Sequence, residues 1–204
     1  YAEVFKNDQV MRGFLNSLII TFCGVMVNLI VTLPTSYALS RSNFSGKKPI
    51  TIFYLITMFF GGGLIPTYLV IQRLQMLNTI WALIVPNLLM GAFYVIMMRT
   101  YFTTNIPDAV IEAARIDGAN EFYIFHKIVL PMSKNGIFSI AIFQFLWTWE
   151  DFLWPYLVIT NKDKQLLAVG LKMFNGQYST DYGALFAATA ISIIPVLLIY
   201  LFFQ

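Results

Sequence analysis

The chain has 204 residues, of which 58% are hydrophobic and only 11% are charged, and its mean hydropathy is +0.71. Soluble domains usually carry about a quarter charged residues, so this composition excludes an ordinary soluble protein and indicates a membrane protein. The formal net charge of +3 is what loop cations beside membrane helices produce, and it does not indicate nucleic-acid binding. The single cysteine, Cys23, excludes an internal disulfide.

Uncharged stretches predict five membrane-spanning helices, because a helix needs about 20 apolar residues to cross the hydrocarbon core. The predicted spans cover about residues 14–40, 49–72, 79–100, 135–160 and 182–204. The span from residue 135 reaches that length only by including Glu150 and Asp151. The first span is too long, and too poor in flanking charge, for a cleaved signal peptide. We therefore predict an all-α, polytopic membrane helix bundle that forms a single permease domain over residues 1–204.

The loop from Arg41 to Lys48, between the first two predicted spans, carries a tight group of cations, which favours the cytoplasmic side of the membrane. Alternation of the spans, however, divides the Lys and Arg residues almost equally between the two sides. The charges alone therefore support the orientation only weakly.

The second predicted span contains a helix break at Gly61–Gly63, followed by Pro66. Glycine lowers helix stability by about 1 kcal/mol relative to alanine, and proline removes a backbone hydrogen bond. In lipid such a break survives where neighbouring helices or a water-lined cavity satisfy the freed groups. Two interpretations are therefore open: the span packs inside a bundle, or the break is a simple proline kink. Pro86 in the third span has the same two interpretations.

The polar segment after the third span, about residues 102–134, has the signals of two short helices. Pro107–Asp117 suits a first helix, and Gly118 suits the position just after its end. Asn120 suits the cap of a second helix that ends before Pro131. Small residues along the first helix would let another protein approach closely, and they are Ala109, Ala113 and Ala114.

The same segment carries a spaced motif, which reads Glu112-Ala113-Ala114, three residues, Gly118, nine residues, Ile128, one residue, then Leu130-Pro131. This spacing resembles the EAA loop of ATP-binding-cassette (ABC) importer permeases at every fixed position. The resemblance implies that the loop is cytoplasmic and folds into coupling helices that dock on an ATPase subunit. The residues implied for ATPase coupling are Glu112, Ala113, Ala114, Asp117, Gly118, Ile128, Leu130 and Pro131. The alternative is an amphipathic loop lying on the membrane surface.

Segments over most of the remaining chain resemble sugar-importer permeases, and in particular the smaller permease subunit of the maltose-type family. These segments are Gly62–Tyr68, Leu77–Ala82, Met98–Phe102, Phe152–Pro155, Gly176–Gly183 and Ile193–Val196. The resemblance implies a carbohydrate cargo and a bacterial or archaeal cell membrane. Its implied partners are a second homologous permease in a heterodimer, a dimer of ATPase subunits and an extracellular or periplasmic substrate-binding protein. The family usually has six spans, so we expect a further span before Tyr1 and a cytoplasmic tail after Gln204.

The chain has no phosphate-binding glycine loop with lysine, so we expect ATP and Mg²⁺ on the partner ATPase and no cofactor here. One histidine and one cysteine cannot supply a metal centre, and we predict no catalytic residue. The predicted mechanism is alternating access driven by the ATPase. Three alternatives are an importer for a non-sugar solute, a proton-coupled secondary transporter that uses Glu150, and an intramembrane enzyme that uses Glu150, Asp151 or His126.

The acidic pair Glu150 and Asp151 departs from the resemblance, because relatives commonly have asparagine after the tryptophan. Counting from residue 135 places Glu150 about 22 Å along the helix, in the outer half of the membrane. Charged side chains inside a membrane are costly, so these acids should face a cavity or a cation. One interpretation is a polar rim of the substrate path, formed by Trp149, Glu150, Asp151 and Trp154. The other is an aromatic belt at the outer interface.

The segment of about residues 160–181 is predicted to be an outer loop. In the maltose-type family an equivalent loop reaches towards the substrate-binding protein. Phe174, Gly176 and Tyr178 are therefore candidates for that contact, or for packing within the loop.

Overall fold

The computed structural model describes residues 7–89, 91–174 and 182–203, which form helices and connecting turns with no strand among them. The helices are α1 Asp8–Ser40, α2 Lys47–Phe59, α3 Leu64–Arg73, α4 Trp81–Leu89, α5 Ala92–Asn105, α6 Asp108–Ile116, α7 Glu121–Met132, α8 Lys134–Glu150, α9 Leu153–Val158, α10 Leu167–Gly170 and α11 Tyr182–Phe203. Short 3₁₀ turns cover Lys162–Lys164 and Leu171–Phe174. For the described residues, the prediction of an all-α chain is confirmed.

Length and apolar composition identify α1 as a helix able to cross a membrane. Two bent pairs also qualify if each counts as one span, since α2 and α3 meet at 110° and α7 and α8 meet at 78°. The described helices thus supply between one and three candidate spans by this measure, whereas the sequence predicts five. The predicted third span is divided between α4 and α5, and within α11 the apolar helix Leu185–Leu201 is shorter than a full span. The number of five spans stays a prediction.

The glycine break in the second predicted span separates α2 from α3. Gly63 has a φ of +85°, which residues with a side chain rarely adopt, and Pro66 lies in the first turn of α3. No residue of α2 is buried within this chain, so the packing of this chain alone does not enclose that helix.

The boundaries of the first and fourth predicted spans differ from the observed helices. α1 begins at Asp8 rather than near residue 14. α8 ends at Glu150, where the prediction continued to about residue 160. A separate helix, α9, begins at Leu153, and the Asp151 side chain accepts a hydrogen bond from the Trp154 N–H at 3.4 Å in the connection between the two helices.

The prediction that the second loop helix ends before Pro131 is wrong. α7 passes through Pro131 and ends at Met132. A π-helical turn at Phe125–Val129 directly precedes this proline. Proline lacks the N–H that an α-helix needs, and the wider turn accommodates the altered hydrogen bonding.

The described residues fall into two compact units. The first unit comprises Tyr1–Val25, Gly63–Pro86 and Ile142–Gln204, and the second comprises Met26–Gly62 and Asn87–Ala141. The core of the second unit is formed by Leu33, Tyr37, Tyr94, Met98, Phe102, Ile106, Ile111, Ala114, Ile124, Val129 and Ile140. This core draws side chains from both short helices of the predicted coupling loop, so the loop is packed into the unit.

The first unit has two apolar clusters. One contains Val10, Trp149, Leu167, Ala187 and Ala188. The other contains Ile20, Ile71, Ala82, Leu83, Val158, Ile159 and Leu166. Both clusters include residues that follow α9, so the start of the predicted outer loop is folded onto this unit.

Candidate functional site

The first helix of the predicted coupling loop, α6, is defined by local signals and by its inner face. Pro107 is its N-cap, Asp108 lies in its first turn and Arg115 in its last, where their charges favour the helix dipole. Ile111 and Ala114 are buried in the core of the second unit. The predicted helix is therefore confirmed, with one buried face that fixes its orientation.

Gly118 forms the turn between the two loop helices. Its φ is +84°, a conformation that glycine adopts without steric cost. The Ala119 N–H donates to the Ala114 carbonyl at 2.9 Å and the Gly118 N–H to the Arg115 carbonyl at 3.0 Å, which closes the end of α6. A Cβ added at Gly118 would have no atom within 4 Å, so the backbone conformation is what requires glycine.

The second loop helix, α7, starts at the predicted cap. The Asn120 side-chain oxygen accepts the Tyr123 N–H at 2.8 Å. Glu121, next in the chain, pairs with Arg115 at 2.7 Å, which connects the start of α7 to the end of α6. The two helices and their turn are therefore held together by hydrogen bonds as well as by the core.

The residues predicted for ATPase coupling divide between the surface and the interior. Exposed positions are Glu112, Ala113, Asp117, Gly118 and Pro131. Ala114 is buried, and Ile128 and Leu130 are half-buried beside the same core. The motif thus contains exposed residues that a partner could contact, and buried or half-buried residues that anchor the loop in the core of the second unit.

Exposed apolar side chains that sequence reasoning missed lie beside these positions. Ile116 is 86% exposed and Phe122 is 72% exposed, although both belong to apolar residue types. We call the exposed residues Glu112, Ala113, Ile116 and Asp117, at the end of α6, the coupling surface. Phe122 lies in the first turn of α7, where its ring packs on His126 with the ring centroids 4.0 Å apart. The signal in the sequence was the position of Ile116, which is off the helical face that carries Ile111 and Ala114.

The candidates for the substrate path lie in the first unit and make packing contacts there. The Trp149 ring is buried, packs against Phe14 and Phe145, and donates its N–H to the Ser192 carbonyl at 3.0 Å. The Trp154 ring N–H donates to the Ala82 carbonyl at 2.9 Å. Both indole N–H groups are therefore used within the chain.

The two acids between these tryptophans differ in exposure. Glu150 is exposed, whereas Asp151 is half-buried and accepts the Trp154 N–H described above. Among the described residues, no group of three or more His, Cys, Asp or Glu side chains is placed to hold a metal ion.

The start of the predicted outer loop is fixed by Asn78, which sequence reasoning also missed. Its side-chain oxygen accepts three hydrogen bonds, from the Thr160 N–H at 2.7 Å, the Thr160 hydroxyl at 2.9 Å and the Asn161 N–H at 3.0 Å. Lys164 donates to the Asn78 carbonyl at 2.9 Å. Of the binding-protein candidates, Phe174 ends a 3₁₀ turn, and Gly176 and Tyr178 lie outside the described residues.

A row of buried small polar residues along α1 is a further feature that the hydropathy analysis did not single out. It consists of Ser17, Thr21, Asn28, Thr32, Ser36 and Ser40. Ser17 accepts the Leu167 N–H at 2.9 Å in the first unit, and Ser36 donates to the Val95 carbonyl at 3.0 Å in the second. Small polar residues allow close helix packing in membranes, so the row explains how α1 approaches its neighbours in each unit.

Comparison with known proteins gives consistent matches over the chain. Residues 17–204 match the family described as binding-protein-dependent transport system inner membrane component. The polygalacturonan/rhamnogalacturonan transport system permease YtcP of Bacillus subtilis is 32% identical, with 100% of this chain and 76% of that protein covered. The diacetylchitobiose uptake system permease NgcG of Streptomyces coelicolor is also 32% identical, with coverage of 100% and 69%.

A solved structure shares the fold. It is the crystal structure of a bacterial ABC transporter involved in the import of the acidic polysaccharide alginate. A chain of that transporter matches with a TM-score of 0.88 and 28% identity, covering 98% of this chain and 76% of that one.

Proposed function

The chain belongs to the family of binding-protein-dependent transport system inner membrane components, and from this we propose that it is the permease subunit of an ABC importer for an oligosaccharide. The relatives named above transport polygalacturonan or rhamnogalacturonan, diacetylchitobiose and alginate. These cargoes are all carbohydrates, and all are built from linked sugar units. A carbohydrate cargo is therefore the shared property that we assign to this chain.

The observation that supports ATP-driven transport is the coupling surface of the second unit. A helix–turn–helix presents Ile116 and Phe122 to its surroundings, while Ile111 on the same segment is held in the core. A stand-alone carrier driven by protons would have no use for such an exposed apolar docking site. We infer that this surface binds the partner ATPase, which holds ATP and Mg²⁺, and that the loop of about residues 102–134 is cytoplasmic.

The proposed mechanism is alternating access. Closure of a pair of ATPase subunits displaces the coupling helices, and the membrane spans that are packed against them change their tilt. The remaining partners are a second homologous permease and a substrate-binding protein outside a bacterial or archaeal membrane. The lack of buried residues in α2 agrees with a helix that is covered by a second permease or by lipid.

Reconstitution of the complete importer tests this function. The complex is purified from its native cell in mild detergent and placed in proteoliposomes, and uptake of radiolabelled trigalacturonate, diacetylchitobiose and maltotriose is measured with and without ATP. We expect an ATPase and a second permease in the complex, and ATP-dependent uptake that a proton ionophore does not abolish. Uptake driven by a proton gradient without ATP would contradict the proposal, and ATP-dependent uptake of a non-sugar solute alone would reject the assigned cargo.

A further inference from the structure

The last turn of α1 leads into a buried arginine that contacts three parts of the second unit. The Arg41 side chain is only 8% exposed, and its Nη1 pairs with Asp108 at 3.0 Å. Its Nη2 donates to the Phe102 carbonyl at 3.4 Å, and its Nε donates to the Ser40 hydroxyl at 2.9 Å. The guanidinium carbon also lies 5.3 Å from the centre of the Tyr37 ring. Arg41 therefore joins α1 to the end of α5 and to the start of α6.

Tyr37, one turn earlier on α1, reaches the second coupling helix. Its hydroxyl donates to Glu121 Oε2 at 3.1 Å, and Glu121 Oε1 accepts from Arg115 at 2.7 Å. The Tyr37 ring is buried and packs edge-on against Phe102. Glu121 thus bridges α1 and the last turn of α6, so that both coupling helices are connected to the same end of α1.

Tyr37 and Arg41, at the end of α1 and directly after it, are buried, and this burial decides how stable the connection is. Asp108 and Glu121 are more than half exposed and have water as an alternative partner. Arg41 and Tyr37 are buried, and a buried cation that loses its partner carries a large desolvation cost. Separating α1 from the coupling helices is therefore unfavourable even while the loop is being displaced.

We propose that Tyr37 and Arg41 are positioning residues that make the end of α1 and both coupling helices move as one body. This inference rests on the proposed function, because it assigns the path by which displacement of the coupling helices enters a membrane span. The movement is then carried from the coupling helices to α1 through the contacts of Tyr37 and Arg41.

Spin labelling of the complete importer tests the proposal without knowledge of the sugar. Nitroxides are attached at Asn43→Cys and Ala109→Cys in a Cys23→Ser background, since both label sites are exposed and Asn43 lines the same small cleft as Asp108. Dipolar broadening is recorded without nucleotide and with ADP plus orthovanadate. We expect the same interspin distance in both states, and a distance that changes with the nucleotide would overturn the proposal.

The variant Tyr37→Phe/Asp108→Asn removes the hydroxyl that binds Glu121 and the charge that pairs with Arg41, while preserving side-chain size. In this variant we expect the interspin distance to shift with the nucleotide, whereas a purely structural defect would broaden both spectra equally. Tyr94→Phe is the matched control, because Tyr94 is equally buried in the same core but lies on α5. A double variant that behaves like the parent refutes the assignment. If the proposed function is wrong, the ATPase will be missing from the purified complex, and this result is distinguishable from a change in the interspin distance. The inference about Tyr37 and Arg41 would then fail together with the proposed function.

Discussion

Replacing Ile116 by alanine should weaken binding of the ATPase subunit and leave the fold intact. The side chain is 86% exposed, so the chain itself gains little stability from it. Alanine lacks the three outer carbons of isoleucine, and burial is worth about 0.8 kcal/mol per methylene, so a fully buried contact loses about 2 kcal/mol. That loss corresponds to an increase in Kd of roughly 30-fold.

Ile111→Ala is the matched control on the same helix. Ile111 is 1% exposed and packs in the core of the second unit, so its truncation should destabilise the fold by about 2–5 kcal/mol. The permease pair is placed in nanodiscs, the ATPase subunit is titrated, and both Kd and the thermal unfolding temperature are measured. The reasoning is refuted if Ile116→Ala binds the ATPase as tightly as the parent, or if its unfolding temperature falls as far as that of Ile111→Ala.

Substitutions at three further positions test the turn, the outer loop and helix packing. Gly118→Ala should lower the free energy of unfolding by about 1–2 kcal/mol through the positive φ alone, because a Cβ at this position meets no atom within 4 Å. Gly118→Arg should in addition abolish ATP-dependent uptake by crowding the docking site, which uptake assays on both variants would separate. Asn78→Ala removes the acceptor of three hydrogen bonds, so it should lower the free energy of unfolding by about 2–3 kcal/mol and speed trypsin cleavage near Thr160. Asn78→Asp retains the acceptor and should be cleaved at the parent rate. Gly136→Ala would bring a Cβ to 2.9 Å from the Tyr101 ring, and we expect a loss of about 1–3 kcal/mol in detergent unfolding that Tyr101→Leu partly restores.

The predicted coupling loop was accessible from the sequence because its signals are local. Such signals act within a few residues of the helix end that they determine. Here they are the capping residue Asn120, Gly118 after α6 and Pro107 before it. The end of α7 was predicted wrongly because the rule applied to it is also local. The rule that proline ends a helix is local, and the π turn that allows α7 to include Pro131 is an exception to it.

The functional side chains that were missed depend on tertiary packing. Asn78 and Thr160 are far apart in sequence, and no periodic pattern connects them. The interpretation of Trp149 and Trp154 as part of the rim of a substrate path was based only on their residue type and their predicted depth in the membrane. The structure shows where their N–H groups are used, which composition and spacing cannot indicate.

Two arginines of the second unit form ion pairs within the unit, and these pairs stabilise its fold rather than bind a partner. In the sequence analysis Arg41 was counted as a loop cation that indicates membrane orientation, yet its side chain is buried and paired with Asp108. Arg115 is likewise paired with Glu121. Glu112 and Asp117 form no ion pair among the described residues, and they flank the exposed side chain of Ile116. The pairing of its neighbours leaves the coupling surface apolar at its centre and acidic at its edge. We expect the partner that docks here to present an apolar groove with a basic rim, because apolar contact supplies affinity while charge at the rim supplies orientation.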